Sequence, residues 1–184
     1  KGKKIFEVEE VCISTNTMSF KEYLECKGFS FVCTLFAQNQ YEAIRLLAQE
    51  SEMKLYDFYL SIWKQITANK TPLTRIYNDY INESKSELFE TKEDLFEFYS
   101  INENYEKLVN KQLGKNLIRK YLAKVVLEEF RSSIEIACHP LKSLFSYDNS
   151  ILESLKRWTE VTRDMGFAFS GNNLNTNDDL NLNY

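Results

Sequence analysis

Residues Glu9–Leu24 run EEVCISTNTMSFKEYL, and the change of rhythm inside them divides the chain. Glu9–Ser14 reads as a short strand, Thr15–Asn16–Thr17 as a polar turn, and a helix begins directly afterwards. The helix start carries a capping box. Ser19 can accept a hydrogen bond from the first free backbone N–H groups, and Glu22 stands three residues on. Met18 before the cap and Tyr23 after it have the spacing of a hydrophobic staple. From here onward the apolar residues recur almost wholly at helical spacing.

Upstream, Ile5–Thr15 is rich in β-branched and aromatic residues, but its alternation is interrupted. Phe6 and Val8 share one phase, while Val11, Ile13 and Thr15 share the other. A change of phase at Glu9–Glu10 predicts a bulge or two short strands. Such a segment cannot make a sheet by itself. It either packs on the helices or belongs to a sheet outside this sequence.

Downstream, the spacing predicts a short helix over Ser19–Lys27 with Gly28 as its stop, then a long one over Phe29–Glu50. Further helices are expected over 54–68, 73–88 and 91–99. Thr71-Pro72 marks one start, and Thr91 with Asp94 marks another. Asn102–Ala137 keeps the three-four spacing throughout, with Gly114 as its natural break and His139-Pro140 as its end. Asp148 or Asn149 opens a last helix carrying Ile151, Leu152, Leu155, Trp158 and Val161. The expected fold is mainly α, an irregular bundle of about six or seven helices with a short N-terminal β segment. Residues 1–170 are expected to form one helical domain, within which 1–18 is a strand and linker segment. The Asn-rich residues 171–184 are expected to be a disordered tail.

Five Gly and two Pro among 184 residues agree with long helices rather than turn-rich β structure. A net charge of −4 argues against general nucleic-acid binding. No run of apolar residues is long enough for a membrane span, and no signal peptide is visible, so a cytoplasmic location is expected. Cys12, Cys26, Cys33 and Cys138 include no C-x-x-C pair. On one helix Cys26 and Cys33 would stand about 10.5 Å apart, too far for a disulfide, and both are expected to be small buried residues.

Val11–Leu24, V-x-I-S-T-N-T-M-S-F-x-E-Y-L, resembles the segment that closes the barrel and opens the C-terminal helical domain in cobalamin-binding radical SAM proteins. An aromatic-rich helix with a Gln follows in that family, here Phe29–Gln40, so the likeness covers about thirty residues. The resemblance implies a C-terminal accessory domain that shapes or covers the substrate site without being catalytic itself. It implies a parent enzyme with a 4Fe-4S cluster, S-adenosylmethionine and cobalamin, held in an upstream radical SAM barrel and cobalamin domain, and a small-molecule substrate. This chain contains neither the C-x-x-x-C-x-x-C loop nor the D-x-H-x-x-G signature that would hold them. No catalytic, cofactor or metal residue is assigned within it. The other reading is a stand-alone α-helical interaction or regulatory module.

Ser14, Thr15, Asn16 and Thr17 are the candidate substrate-facing residues. Four consecutive hydroxyl or amide side chains exceed what one helix cap needs, and they end a strand, where α/β enzymes place sites. The alternative is an ordinary solvated turn. His139, the only histidine, reads as a helix C-terminal residue in a favourable dipole rather than a metal ligand. Lys107, Lys111, Lys115, Arg119, Lys120 and Lys124 form a basic stripe that calls for acids elsewhere in the fold or for an anionic partner. Tyr56, Tyr59, Tyr77, Tyr80 and Tyr99 either line a cavity or straddle the core edge.

Overall fold

Ser19 starts the first helix in the way its spacing to Glu22 predicts. Its Oγ accepts from the Glu22 N–H at 3.3 Å, and the Glu22 carboxylate accepts from the Ser19 N–H at 2.7 Å. The computed structural model describes residues 4–68, 71–114, 116–142 and 149–169. Among these residues there are nine α-helices, more than the six or seven expected. They are α1 (Phe20–Phe36), α2 (Glu42–Glu50), α3 (Leu55–Thr67), α4 (Leu73–Ser86), α5 (Lys92–Ser100), α6 (Asn102–Val109), α7 (Leu117–Glu128), α8 (Phe130–Cys138) and α9 (Asn149–Phe169). None is long and apolar enough to cross a membrane.

The additional helices come from breaks placed elsewhere than expected. Gly28 does not stop α1. It lies buried in the middle of it, beneath the Tyr77 ring of α4. A Cβ on Gly28 would lie 2.8 Å from Tyr77 Cζ and closer still to its hydroxyl. The same hydroxyl accepts from Trp63 Nε1 of α3 at 3.0 Å, so one glycine fixes how three helices meet.

The expected helix over Phe29–Glu50 is instead interrupted after Phe36. Gln38 turns to extended backbone, and a 3₁₀ turn over Asn39–Tyr41 leads into α2. Arg45 Nη1 donates back to the Phe36 and Gln38 carbonyls at 2.6 and 2.8 Å, satisfying the acceptors that the break leaves. The turn drives Tyr41 fully into the core, its hydroxyl 2.6 Å from Ser133 Oγ of α8.

Gly114, at φ +68°, interrupts the Asn102–Ala137 pattern as expected, within a loop that also holds Lys111 at φ 55°. A second break at Glu129 has no glycine or proline to announce it. Val125 and Phe130 are both buried. On one continuous helix they would lie about 140° apart, and the break lets each reach the core.

The core is one aromatic-rich cluster reaching from α1 to α9. Phe31 stacks on Tyr80 at 4.6 Å between centroids, and Tyr80 meets Tyr121 edge-on at 5.6 Å. The candidate tyrosines differ in burial, and Tyr59 is half-buried. Tyr77, Tyr80 and Tyr99 are buried by packing, whereas Tyr56 is exposed. The final stripe also divides. Leu152 and Thr159 of α9 are buried, while Ile151, Trp158 and Val161 face outward.

The N-terminal β segment is not formed: the described residues contain no strand. A strand needs a ladder partner, and residues 4–15 have none here. They are held instead by side chains. Phe6 packs on Phe96 and Tyr99 with centroids 5.1 and 5.0 Å away. Lys4 Nζ donates to the Ser100 carbonyl at 2.9 Å, at the C-terminus of α5, and lies 5.0 Å from the Tyr105 ring centroid. The Asn-rich tail 171–184 and the candidate cap Asp148 lie outside the described residues.

Gly28→Ala tests the close approach. Helix propensity alone favours alanine by about 1 kcal/mol. Overpacking against Tyr77 reverses the sign, for a net loss of about 1–2 kcal/mol in urea unfolding. The loss is smaller in a Tyr77→Phe background, where the nearest atom is gone. A Gly28→Ala protein more stable than wild type would show that Tyr77 yields freely.

Candidate functional site

Ser14, Thr15, Asn16 and Thr17 are all exposed, at the end of the irregular arm and one residue before the α1 cap sequence. Thr15 organises the turn. Its N–H donates to the Met18 carbonyl at 2.8 Å, and its Oγ1 accepts from the Thr17 and Met18 N–H groups at 3.2 and 3.0 Å. Thr15 and Thr17 hydroxyls lie 3.3 Å apart, and Cys12 Sγ donates to the Ser14 carbonyl at 3.3 Å. The turn is therefore preformed by its own side chains. It offers hydroxyl and amide groups for hydrogen bonding at a surface. Among the described residues no hydrogen bond pairs a nucleophile with a base there.

His139 is exposed at the C-cap of α8, the helix-terminal position the sequence suggests. Among the described residues no group of His, Cys, Asp and Glu is placed to hold a metal ion. The cysteines are dispersed. Cys12 and Cys26 are exposed, Cys33 is half-buried and Cys138 is buried. Cys26 thus departs from the expected buried position, because it lies about 200° round α1 from buried Gly28. Burial pushes the Cys138 thiol up to about 12. This donor set does not fit an iron–sulfur cluster, which needs several thiolates on one centre.

The basic stripe finds acids within the fold. Lys107 pairs with Glu103 at 2.6 Å, Lys120 with Glu83 at 2.6 Å and Lys124 with Asp79 at 3.3 Å. Two of these pairs join α7 to α4, and Tyr121 Oη also donates to Glu83 at 2.7 Å. Lys115 lies outside the described residues. A groove of about 310 Å³ between α8 and α9 is likewise crossed by internal pairs, Arg131–Glu160 at 3.0 Å and Lys156–Glu135 at 2.7 Å. Its charges are matched, so it has no excess of one sign with which to select an ion.

Desolvation alone would raise the Glu83 carboxyl, but the bonds from Lys120 and Tyr121 outweigh it and hold it below the ordinary value of 4.5. A depressed carboxyl stabilises the fold above its unfolded value, and that contribution is lost as pH falls through the folded value. Glu83→Gln should therefore cost up to about 1 kcal/mol near neutral pH. The gap to wild type should narrow as pH falls below 4.5 and close only once the folded carboxyl, held below that value, is itself protonated. Chemical unfolding across the acid range reads both limbs, and a constant gap would remove Glu83 from the acid response.

Thiol labelling should rank the cysteines by accessibility. Cys12 and Cys26 react first, Cys33 more slowly, and Cys138 only at the rate of unfolding, as followed by mass spectrometry of the labelled peptides. Fast labelling of Cys138 in the folded protein would show that α8 opens locally.

No protein-family model, no curated protein and no solved structure matches this chain.

Proposed function

We propose that this chain is the C-terminal accessory domain of a cobalamin-dependent radical SAM enzyme, a helical body that shapes or covers the substrate site. The observation that carries the reading is the arm. Residues 4–15 have strand-type composition but no ladder, and Ile5 and Val11 stand 82% and 54% exposed. Strand-forming residues left without a partner favour pairing with a sheet edge outside this chain. The arm runs straight into Val11–Leu24, the stretch that resembles the barrel-to-helix junction of that family.

In this reading the arm joins the barrel and the helices form the cover. Ser14–Thr17 then lie at the junction and face a small-molecule substrate. Their turn is rigid before any ligand arrives, because Thr15 closes it. In this reading cluster, S-adenosylmethionine and cobalamin belong to the other domains of the parent, since this chain carries neither the C-x-x-x-C-x-x-C loop nor the D-x-H-x-x-G signature. A stand-alone helical interaction module is the second reading, favoured by the apolar outer stripe of α9.

Tagging the native gene at its 3′ end and purifying its product anaerobically tests the first reading. A polypeptide well beyond 184 residues, carrying iron and cobalamin, is the expected result. A product of this length without either would overturn it. In the full polypeptide, Thr15→Val and Asn16→Ala should lower turnover several-fold while cofactor content and melting temperature hold. Wild-type turnover in both variants would reduce the turn to a helix lead-in.

A further inference from the structure

The outer face of α9 carries a regular seam. Ile151, Trp158, Val161 and Met165 are 40%, 61%, 49% and 52% exposed, and Ser154 lies in line with them. Positions 151, 154, 158, 161 and 165 alternate by three and four residues, the spacing of a coiled-coil interface. At about 100° per residue the seam is centred roughly 125° round the helix from buried Leu152 and Thr159, so it points away from the protein's own core.

We propose that this face pairs α9 with α9 of a second copy of the chain, antiparallel. Two independent features of the sequence select the same register. The first is size. An antiparallel pair that sets Trp158 opposite Val161 of the other copy also sets Met165 opposite Ser154, so each large side chain meets a smaller one. The second is charge. Arg157 and Asp164 flank the seam on one side, seven residues apart. In that same register Arg157 of each copy stands beside Asp164 of the other, giving two symmetric ion pairs. A parallel pair would instead stack Trp158 on itself and set Arg157 beside Thr162, with no charge match.

The geometry of one copy accommodates this. Asp164 is 63% exposed, and both contacts it receives from Arg163 fall on Oδ1. Arg163 itself is turned inward over the Phe130 ring, 4.4 Å from the centroid, which leaves the flank to Arg157. Four apolar side chains make a modest interface, so the affinity belongs in the micromolar range. The pairing is separate from the arm and its turn, and it stands or falls independently of the enzyme assignment.

Sedimentation of the 184-residue chain from about 1 µM to about 500 µM is the test. The expected result is a monomer–dimer equilibrium that Trp158→Ala abolishes without changing the circular dichroism, since that side chain is exposed. Arg157→Asp and Asp164→Arg should each weaken dimerisation about tenfold, a change of about 1.4 kcal/mol. The double exchange Arg157→Asp with Asp164→Arg should restore it. A chain that stays monomeric throughout, a dimer unaffected by Trp158→Ala, or single charge reversals without effect would each overturn the proposal.

Discussion

The contact of Tyr77 with Gly28 governs how the helices come together. The ring lies against backbone where any other residue would carry a Cβ, so α1 and α4 approach more closely than side chains ordinarily allow. Trp63 reaches the same hydroxyl from α3, satisfying a polar group that burial would otherwise penalise. With these three helices set, Phe31 can stack on Tyr80, and Tyr80 can meet Tyr121 on α7. The second connection between α4 and α7 is polar, through Glu83, Lys120 and Tyr121. An edge-on aromatic contact inside and charge pairing at the rim thus join the same two helices.

The arm is arranged by a different logic. It contributes little to the central cluster and is fastened at its ends. Lys4 and Phe6 grip α5, and the Ser19–Glu22 capping box anchors the other end to α1. Between those points the chain is mostly exposed, and its turn is held by hydroxyls within three residues of one another. The proposed site therefore depends on local chemistry for its shape and on its neighbours only for its position.

What could be read from sequence follows the range of the interaction involved. The caps at Ser19 and Thr91 lie within four residues of their partners, and both form capping boxes. Gly114 needs a positive φ, a local property, and it breaks the helical run as expected. Gly28 does not act as the stop its local sequence suggests, because its role is set by Tyr77, forty-nine residues away. The break at Glu129 has no local signal at all, since the burial of Phe130 against distant Tyr41 produces it. The basic stripe was legible as a demand for acids, and Glu83 stands first in the acid-rich stretch 83–97 that could meet it, whereas Asp79 lies outside that stretch and is supplied by the packing of α4 on α7. The turn at Ser14–Thr17 was legible as a turn. What it faces is set by groups beyond it, and no property of four residues encodes that. In α9 the apolar residues were visible, but only the packed structure separates those facing inward from those facing out.

The grip of Lys4 on α5 joins residues 95 and 96 apart in sequence, through hydrogen bonds to the Tyr99 and Ser100 carbonyls at 3.4 and 2.9 Å and a few aromatic contacts. Closing so long a loop costs entropy that few contacts offset, so the arm is expected to dock after α1 through α5 are in place. By the same accounting it is among the first parts to let go. Its opening requires no disruption of the central aromatic cluster, and amide protons along residues 5–14 should exchange with solvent far ahead of those in α1 and α4. The contacts that hold the arm to α5 are separate from the central aromatic cluster, so the proposed pairing of the arm with a sheet edge outside this chain would require only those contacts to break.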